Sequence, residues 1–307
     1  MERTEFISLT GLTSLGLMFP SEIIGKSAGQ KNKISLAQWS MNKSFFSGKK
    51  SALKFPEFAA ELGFEGVEYV NQFYFDYLKS GSTSSKNVKA LAKKLNKNSN
   101  ENDIVNVLIM VDHEGELASN ESKKISISID QHKKWIELAA ELQCESVRVN
   151  LSGSEDQEEW VKRSVDGLTG LAEFAKQHYL NIIVENHGGF SSNAMLLAKV
   201  MKKTNLDNCG TLPDFGNFCI EGGYGTCAKW YDMYKGVAEL MPYAKSVSAK
   251  TYNFDSDGNE TKINYKKMMK IVKDNSYKGF IGVEYEGHGL SEKDGILATK
   301  KLIKRFI

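Results

Sequence analysis

Three short apolar runs in the second half of the chain each end in a carboxylate: IIVENHGG at Glu185, GTLPDFGNF at Asp214 and FIGVEYEG at Glu284. Carboxylates brought to one point repel one another unless a cation lies among them. An all-oxygen set suits a divalent ion such as Mn, Mg, Co or Zn. Glu185 and Glu284 could then flank a bound sugar on opposite faces, with Asp214 between them. That arrangement permits two-base proton transfer, in which one glutamate removes a proton beside a carbonyl and the other returns one, each step contributing about 10²–10⁴-fold. The metal would polarise the carbonyl oxygen and stabilise the enediolate formed midway. A single such glutamate would more often be structural, paired with Arg148 or Lys250; the conjunction of three points to a site, since acids are rarely buried without partners.

The elements that must position these acids read as a βα repeat. From Lys33 the chain alternates eight times between strand-like and helix-like segments, with four prolines in all and no long linker. The strand candidates are Ile34–Trp39, Gly66–Val70, Val105–Met110, Ser146–Asn150, Asn181–Glu185, Cys209–Asp214, Ser246–Lys250 and Phe280–Glu284. The helical patterns are Phe55–Leu62, Val88–Leu95, Asp130–Leu142, Glu158–Gln177, Ala194–Lys203, Cys227–Leu240, Tyr265–Asp274 and Lys293–Phe306. Eight of each predict a single (β/α)8 TIM barrel in the α/β class. A doubly wound sheet would more usually carry a Gly-rich phosphate loop after its first strand, and SLAQWSMN has none.

In such a barrel the chemistry sits where strands hand over to βα loops. The residues at those positions are Gln38 and Trp39; Glu68 and Asn71; Asp112, His113 and Glu114; Arg148 and Asn150; Glu185 and His187; Asp214 and Asn217; Lys250; and Glu284 and Glu286. Glu68, Asn71, Arg148, Asn150, His187, Asn217, Lys250 and Glu286 are the expected substrate contacts, and Glu185, Asp214 and Glu284 the expected metal ligands. His187 stands beside Gly188 and Gly189, where a backbone can approach a ligand. Trp39, Tyr69 and Phe73 could stack on a sugar ring, although aromatics near a barrel mouth more often pack.

At 307 residues with 41% apolar content the chain can bury one large core. Forty basic residues against 38 acidic ones, spread along the sequence, leave no footprint for nucleic acid or an anionic membrane. A small carbohydrate is the expected partner, and oligomeric state is open. Residues 1–30 differ from the rest: a polar start with Arg3, the weakly apolar ISLTGLTSLGLMFP, then Ser27-Ala28-Gly29. This reads as an export signal and predicts a periplasmic or secreted protein; Thr4 stands where a twin-arginine signal has its second arginine. The alternative is a disordered N-terminus on a cytoplasmic protein. No later segment is apolar for the roughly 18 residues a membrane span needs, so residues 31–307 form the barrel. The four cysteines lack metal spacing and read as buried thiols, with Cys219 and Cys227 able to pair if the protein is exported.

The run SLAQWS, GVEYVNQF, LIMVDHEGEL, VRVNLSG, VENHGG, LPDFGNF, SAKTYNFD and GVEYEG resembles the sugar phosphate isomerase/epimerase family with the xylose isomerase-like barrel, from Lys33 to the C-terminus. The resemblance implies one divalent metal held by Glu, Asp, His and Glu, with Glu185, Asp214 and Glu284 matching three of those ligands and the two glutamates acting as acid and base. It also implies a His-x-Lys where this chain has Ser248-Ala249-Lys250, and an Asp-x-x-His where it has Asp214 to Asn217. The expected function is therefore a metal-dependent sugar isomerase or epimerase. The alternatives are a 3-keto-glycoside lyase or hydrolase on the same site, and a non-catalytic sugar-binding barrel, which the missing histidine favours. The related apurinic-site endonucleases use clustered histidines around three zinc ions, whereas the five histidines here are scattered at positions 113, 132, 178, 187 and 288.

Overall fold

Short aliphatic runs, buried on both sides, form the strands of the computed structural model, which describes residues 32–78, 85–223 and 226–307. In chain order the strands are β1 (Ile34–Ala37), β2 (Gly66–Val70), β3 (Val105–Val111), β4 (Ser146–Val149), β5 (Asn181–Glu185), β6 (Cys209–Leu212), β7 (Cys219–Gly223), β8 (Thr226–Trp230), β9 (Val247–Thr251) and β10 (Ile281–Tyr285). All but β7 and β8 make one parallel sheet, in the order β6-β5-β4-β3-β2-β1-β10-β9. Nearly every position in those eight strands is buried, as expected when helices cover a parallel sheet.

Isolated parallel bridges, Thr211 to Ala244 and Asp214 to Ser248, join β6 to β9 and close the ring. Pro213 explains why this seam is not a continuous ladder, because it has no N–H to donate. Its carbonyl instead accepts from Ser248 N at 3.0 Å, and Phe215 N donates to Ser248 O at 3.1 Å. The seam therefore sets Asp214 directly beside Ser248.

The surrounding helices are α1 (Asn42–Phe46), α2 (Phe55–Glu61), α3 (Ser85–Glu101), α4 (Ser122–Glu141), α5 (Gln157–Lys176), α6 (Ala194–Thr204), α7 (Met233–Leu240), α8 (Tyr265–Asp274) and α9 (Glu292–Ile303). Asp156, Asn193, Asp232, Asn264 and Ser291 cap five of them with side-chain oxygens, which fixes where each βα loop must stop. A large apolar cluster fills the space between sheet and helices. A smaller one, including Ala37, Val70, Met110, Ile183 and Leu212, fills the barrel interior.

One expected helix is corrected. The segment Cys227–Leu240 is helical only from Met233; before it, β7 and β8 form an antiparallel hairpin outside the barrel. Asp232 accepts a hydrogen bond from Lys235 N and starts the helix there, while Cys219 and Cys227 are joined by a disulfide across the hairpin. Smaller differences lie at strand ends: β1 stops at Ala37, where Gln38–Met41 turns into a 3₁₀ helix, and β6 stops at Leu212. The export-signal segment, residues 1–30, lies outside the described residues. Among the described residues no helix is long and apolar enough to cross a membrane.

Candidate active site

Glu185 closes β5, Asp214 follows β6 past the Pro213 turn, and Glu284 lies in β10. One oxygen from each lies within 4.8 Å of the others. All three acids are buried. Two cations are wedged among them. Arg148 Nε lies 2.9 Å from Glu185 Oε2, and its NH1 donates to Asp112 Oδ1 at 2.7 Å. Lys250 Nζ lies 3.1 Å from Glu284 Oε1, 3.3 Å from Glu286 Oε1 and 3.7 Å from Asp214 Oδ2. Asp214 Oδ1 accepts from the backbone N–H groups of Gly216 and Asn217 at 2.8 and 2.7 Å. Asn217 Nδ2 donates to Glu185 Oε1 at 3.0 Å.

Ser248 occupies the centre. Its hydroxyl lies 2.8 Å from Asp214 Oδ2 and 2.7 Å from Glu284 Oε2. A hydroxyl carries a single proton, so it can donate to only one of two ionised carboxylates at a time. The surroundings separate the acids accordingly. Burial pushes Glu185 up to about 7 against the pull of Arg148, and burial raises Asp214 to about 7 against Lys250. Burial acts on Glu284 too, but Lys250 and the Ser248 hydroxyl hold it below the ordinary carboxylate range. Asp112 is half-buried, which pushes it up, yet Arg148 outweighs this and brings it down to about 2.

Above the acids opens a cavity of about 1160 Å³, whose walls include Trp39, Asp112, Arg148, Asn150, His187 and Glu284. His187 is exposed to this cavity; the enclosing walls, and then the Arg148 guanidinium, hold its imidazole below its usual range.

The description of the xylose isomerase-like TIM barrel family matches residues 56–306. The chain belongs to that family. Among solved structures, the 3-keto-D-glucoside 4-epimerase of E. coli in its apo form is similar at 13% identity and TM-score 0.64, covering 89% of this chain and 100% of that one. A D-tagatose 3-epimerase-like protein is similar at 20% identity and TM-score 0.64, covering 89% and 96%. The IOLI protein with a bound zinc atom is similar at 17% identity and TM-score 0.64, covering 90% and 99%. At these identities the likeness establishes the fold. No curated protein sequence matches the chain.

Within this family barrel, the expected contacts divide into two groups. Arg148, Asn150 and His187 line the cavity together with Glu284. Five others stand behind its walls. Glu68 lies in the barrel interior, fully buried, accepting from Ser35 Oγ at 2.6 Å; its carboxylate fills the space where a Cβ on Gly282 would stand. Asn71 clasps the backbone of Asp112, donating to its carbonyl and accepting from its N–H. Asn217, Lys250 and Glu286 hold the acid cluster instead of facing the cavity. Trp39 is on the wall, whereas Tyr69 is core, its hydroxyl donating to Asn106 at 2.6 Å. Glu114 is taken up by buried Lys134 at 2.7 Å and by Trp135 Nε1 at 2.6 Å.

Two further residues carry the frame: Asp112, placed at a strand end by the sequence but given no role there, and Asn186, which the sequence reading did not name. Asp112 gathers Arg148, Asn150 at 2.6 Å and Gln72 at 3.2 Å. Asn186 fixes Asp214 by accepting from its N–H at 2.8 Å and donating to its carbonyl at 3.0 Å. An asparagine immediately after a strand-end acid was the available signal for Asn186.

The cluster fits a divalent cation. Its donors are all oxygens, and five carboxylates (Asp112, Glu185, Asp214, Glu284 and Glu286) face the two cations Arg148 and Lys250. Among the described residues the three-acid set contains neither His187 nor Glu286, so the fourth side belongs to Ser248, where the family resemblance calls for an imidazole.

Proposed function

We propose that this barrel is a sugar isomerase or epimerase that moves a proton beside a carbonyl, using Glu284 and Glu185. The observation that carries the reading is the convergence of three buried acids within 4.8 Å of one another, one of which, Glu284, borders the cavity. The sugar epimerases among the structural neighbours support the same reaction class.

In this reading Glu284 is the base. Lys250 and Ser248 keep it ionised despite burial, and its position on the wall gives it access to a substrate C–H. Glu185, raised to about 7 by burial, is poised near neutrality to give a proton back. The two carboxylates thus differ in proton affinity because their partners differ, which is how one site assigns acid and base. Arg148 spans Glu185 and Asp112; burial works against its charge, but those two acids outweigh it and raise the pKa, so the guanidinium stays charged. It places a fixed positive charge on the cavity wall. A divalent ion held by Glu185, Asp214 and Glu284 would polarise the substrate carbonyl.

We also infer export, and the Cys219–Cys227 disulfide supports it, since such bonds persist in oxidising compartments.

The test is incubation of the purified protein with aldoses, ketoses and 3-keto-glycosides in D2O, with and without Mn. Solvent deuterium should enter the carbon beside the carbonyl of at least one sugar. Sugar binding without exchange, together with negligible metal after gentle purification, would replace this reading with that of a non-catalytic sugar-binding barrel.

A further inference from the structure

The β7–β8 hairpin is an addition that barrel closure does not require, because the ring is complete through β6 and β9 without it. A two-stranded hairpin is at best marginally stable alone. This one is pinned three ways: the Cys219–Cys227 disulfide ties its strands, Lys229 Nζ meets Glu221 Oε1 at 2.8 Å, and at its base Phe218 stacks on Tyr231 at 6.4 Å. Ile220, Glu221 and Lys229 form part of the wall of the same cavity that Glu284 and Arg148 border.

The capacity of that cavity exceeds the need of one sugar. Clefts that enclose a drug-sized molecule measure about 300–1,000 Å³, and this one measures about 1160 Å³. Two half-buried aromatic rings line it: Trp39, which follows β1 next to β10, and Phe190, in the 3₁₀ turn Gly189–Ser192. Each offers an apolar face of the sort that receives the C–H side of a pyranose. The cavity wall carries both signs of charge, Glu155 and Glu221 against Lys229. A mixed-sign, hydrogen-bonding surface suits an uncharged polyhydroxylated ring; a phosphate would want net positive charge.

We infer that the substrate is a sugar carrying a second, uncharged ring-sized unit, a glycoside or disaccharide, with the reacting unit at Glu284 and the second unit against Phe190 and the hairpin. This rests on the proton-transfer reading above and names its substrate class.

The experiment measures deuterium exchange in D2O, with Mn present, on two matched pairs: D-fructose against maltulose, and 3-keto-glucose against 3-keto-cellobiose. In at least one pair the two-unit member should exceed its single-unit partner in kcat/KM by about tenfold or more, the equivalent of ~1.4 kcal/mol. Ile220→Trp, which fills the hairpin end of the cavity, should cut kcat/KM for the two-unit substrate about tenfold, mostly through KM, and leave the single sugar within about twofold. Lys229→Ala, on the exposed face of the hairpin, should give the same discrimination at about threefold and guards against misfolding of the larger substitution. Exchange into single sugars as fast as into their two-unit partners would overturn the inference and leave the proton-transfer reading standing, as would Ile220→Trp slowing both members equally. No exchange into any of the four would overturn that reading, and the inference with it.

Discussion

Glu68 in β2 and Glu284 in β10 are glutamates on strands separated only by β1, both buried against the barrel axis, yet held in opposite charge states. Glu68 meets one neutral donor, the Ser35 hydroxyl, and its Oε2 has no hydrogen-bond partner among the described residues. Burial raises it to about 8, so it is protonated at neutral pH. Glu284 has Lys250 at 3.1 Å and Ser248 at 2.7 Å, and stays ionised. Their depths differ by about one turn of the pleat, since the Glu68 carboxylate stands over Gly282, two residues before Glu284. Burial raises Glu68 with little to oppose it, whereas at Glu284 the same burial is outweighed by the cation the fold has delivered beside it.

The largest effect expected from breaking this contrast is at Glu284 itself. Glu284→Gln keeps the shape and a partner for Ser248 but removes the base, so deuterium exchange into substrate should fall about 10²–10⁴-fold with the circular dichroism unchanged. Exchange at the parent rate would transfer the base role to Glu286, which shares Lys250 with it.

Lys250→Met probes the other half of the pair. It leaves Asp214 and Glu284 buried without their ammonium, and removing one partner of a buried ion pair costs about 3–5 kcal/mol. Urea unfolding should show that loss at pH 8, where the acids are ionised. A loss under about 1 kcal/mol would mean that Lys250 does not hold the Glu284 charge. The double variant with Glu284→Gln should recover part of the stability, because the two residues are coupled.

The same contrast explains what was legible in the sequence. Residues at strand ends, Glu185, Asp214 and Glu284, could be read because a parallel strand buried on both sides is an apolar run, and an acid that ends it must lie at the rim. Glu68 stands inside GVEYV much as Glu284 stands inside IGVEY, so nothing in the chain itself distinguishes the position inside the barrel from the one at its rim. The hairpin was missed because Cys227–Trp230 lies directly before α7 and was read as its first turns, although Asp232 caps that helix and Cys227 pairs with Cys219 eight residues back. Asn71 and Asn217 were legible as polar groups at strand ends. Their partners, the Asp112 backbone and the Glu185 carboxylate, come from other strands, and that turns them from ligand contacts into struts.

Glu68→Gln sharpens the comparison through pH. The folded state holds the Glu68 proton to about 8, whereas an unfolded chain releases it near 4.5. The contribution of this group is therefore complete below 4.5 and falls as pH rises towards 8, by at most about 1.4 kcal/mol per pH unit. The introduced amide retains an acceptor for Ser35 and does not titrate, so the variant should lose less stability than the parent between pH 5.5 and 8. Parallel urea midpoints across that range would show that Glu68 is ionised in the folded protein and that the two layers do not differ as described.

Ser248→His tests whether the centre of the upper layer is a metal position. The serine hydroxyl stands between Asp214 and Glu284, within 2.8 Å of both, and the backbone bonds at Pro213 and Phe215 fix its direction. An imidazole there would add a nitrogen ligand to three carboxylates, and zinc or manganese affinity should tighten by about tenfold, or ~1.4 kcal/mol. Ser248→Asn, of similar bulk but without a ligating nitrogen, controls for crowding, which itself costs about 1–3 kcal/mol in a packed interior. If isothermal titration finds the same affinity in the parent and both variants, β9 does not face the ion, and Ser248 serves only to share its proton between two acids.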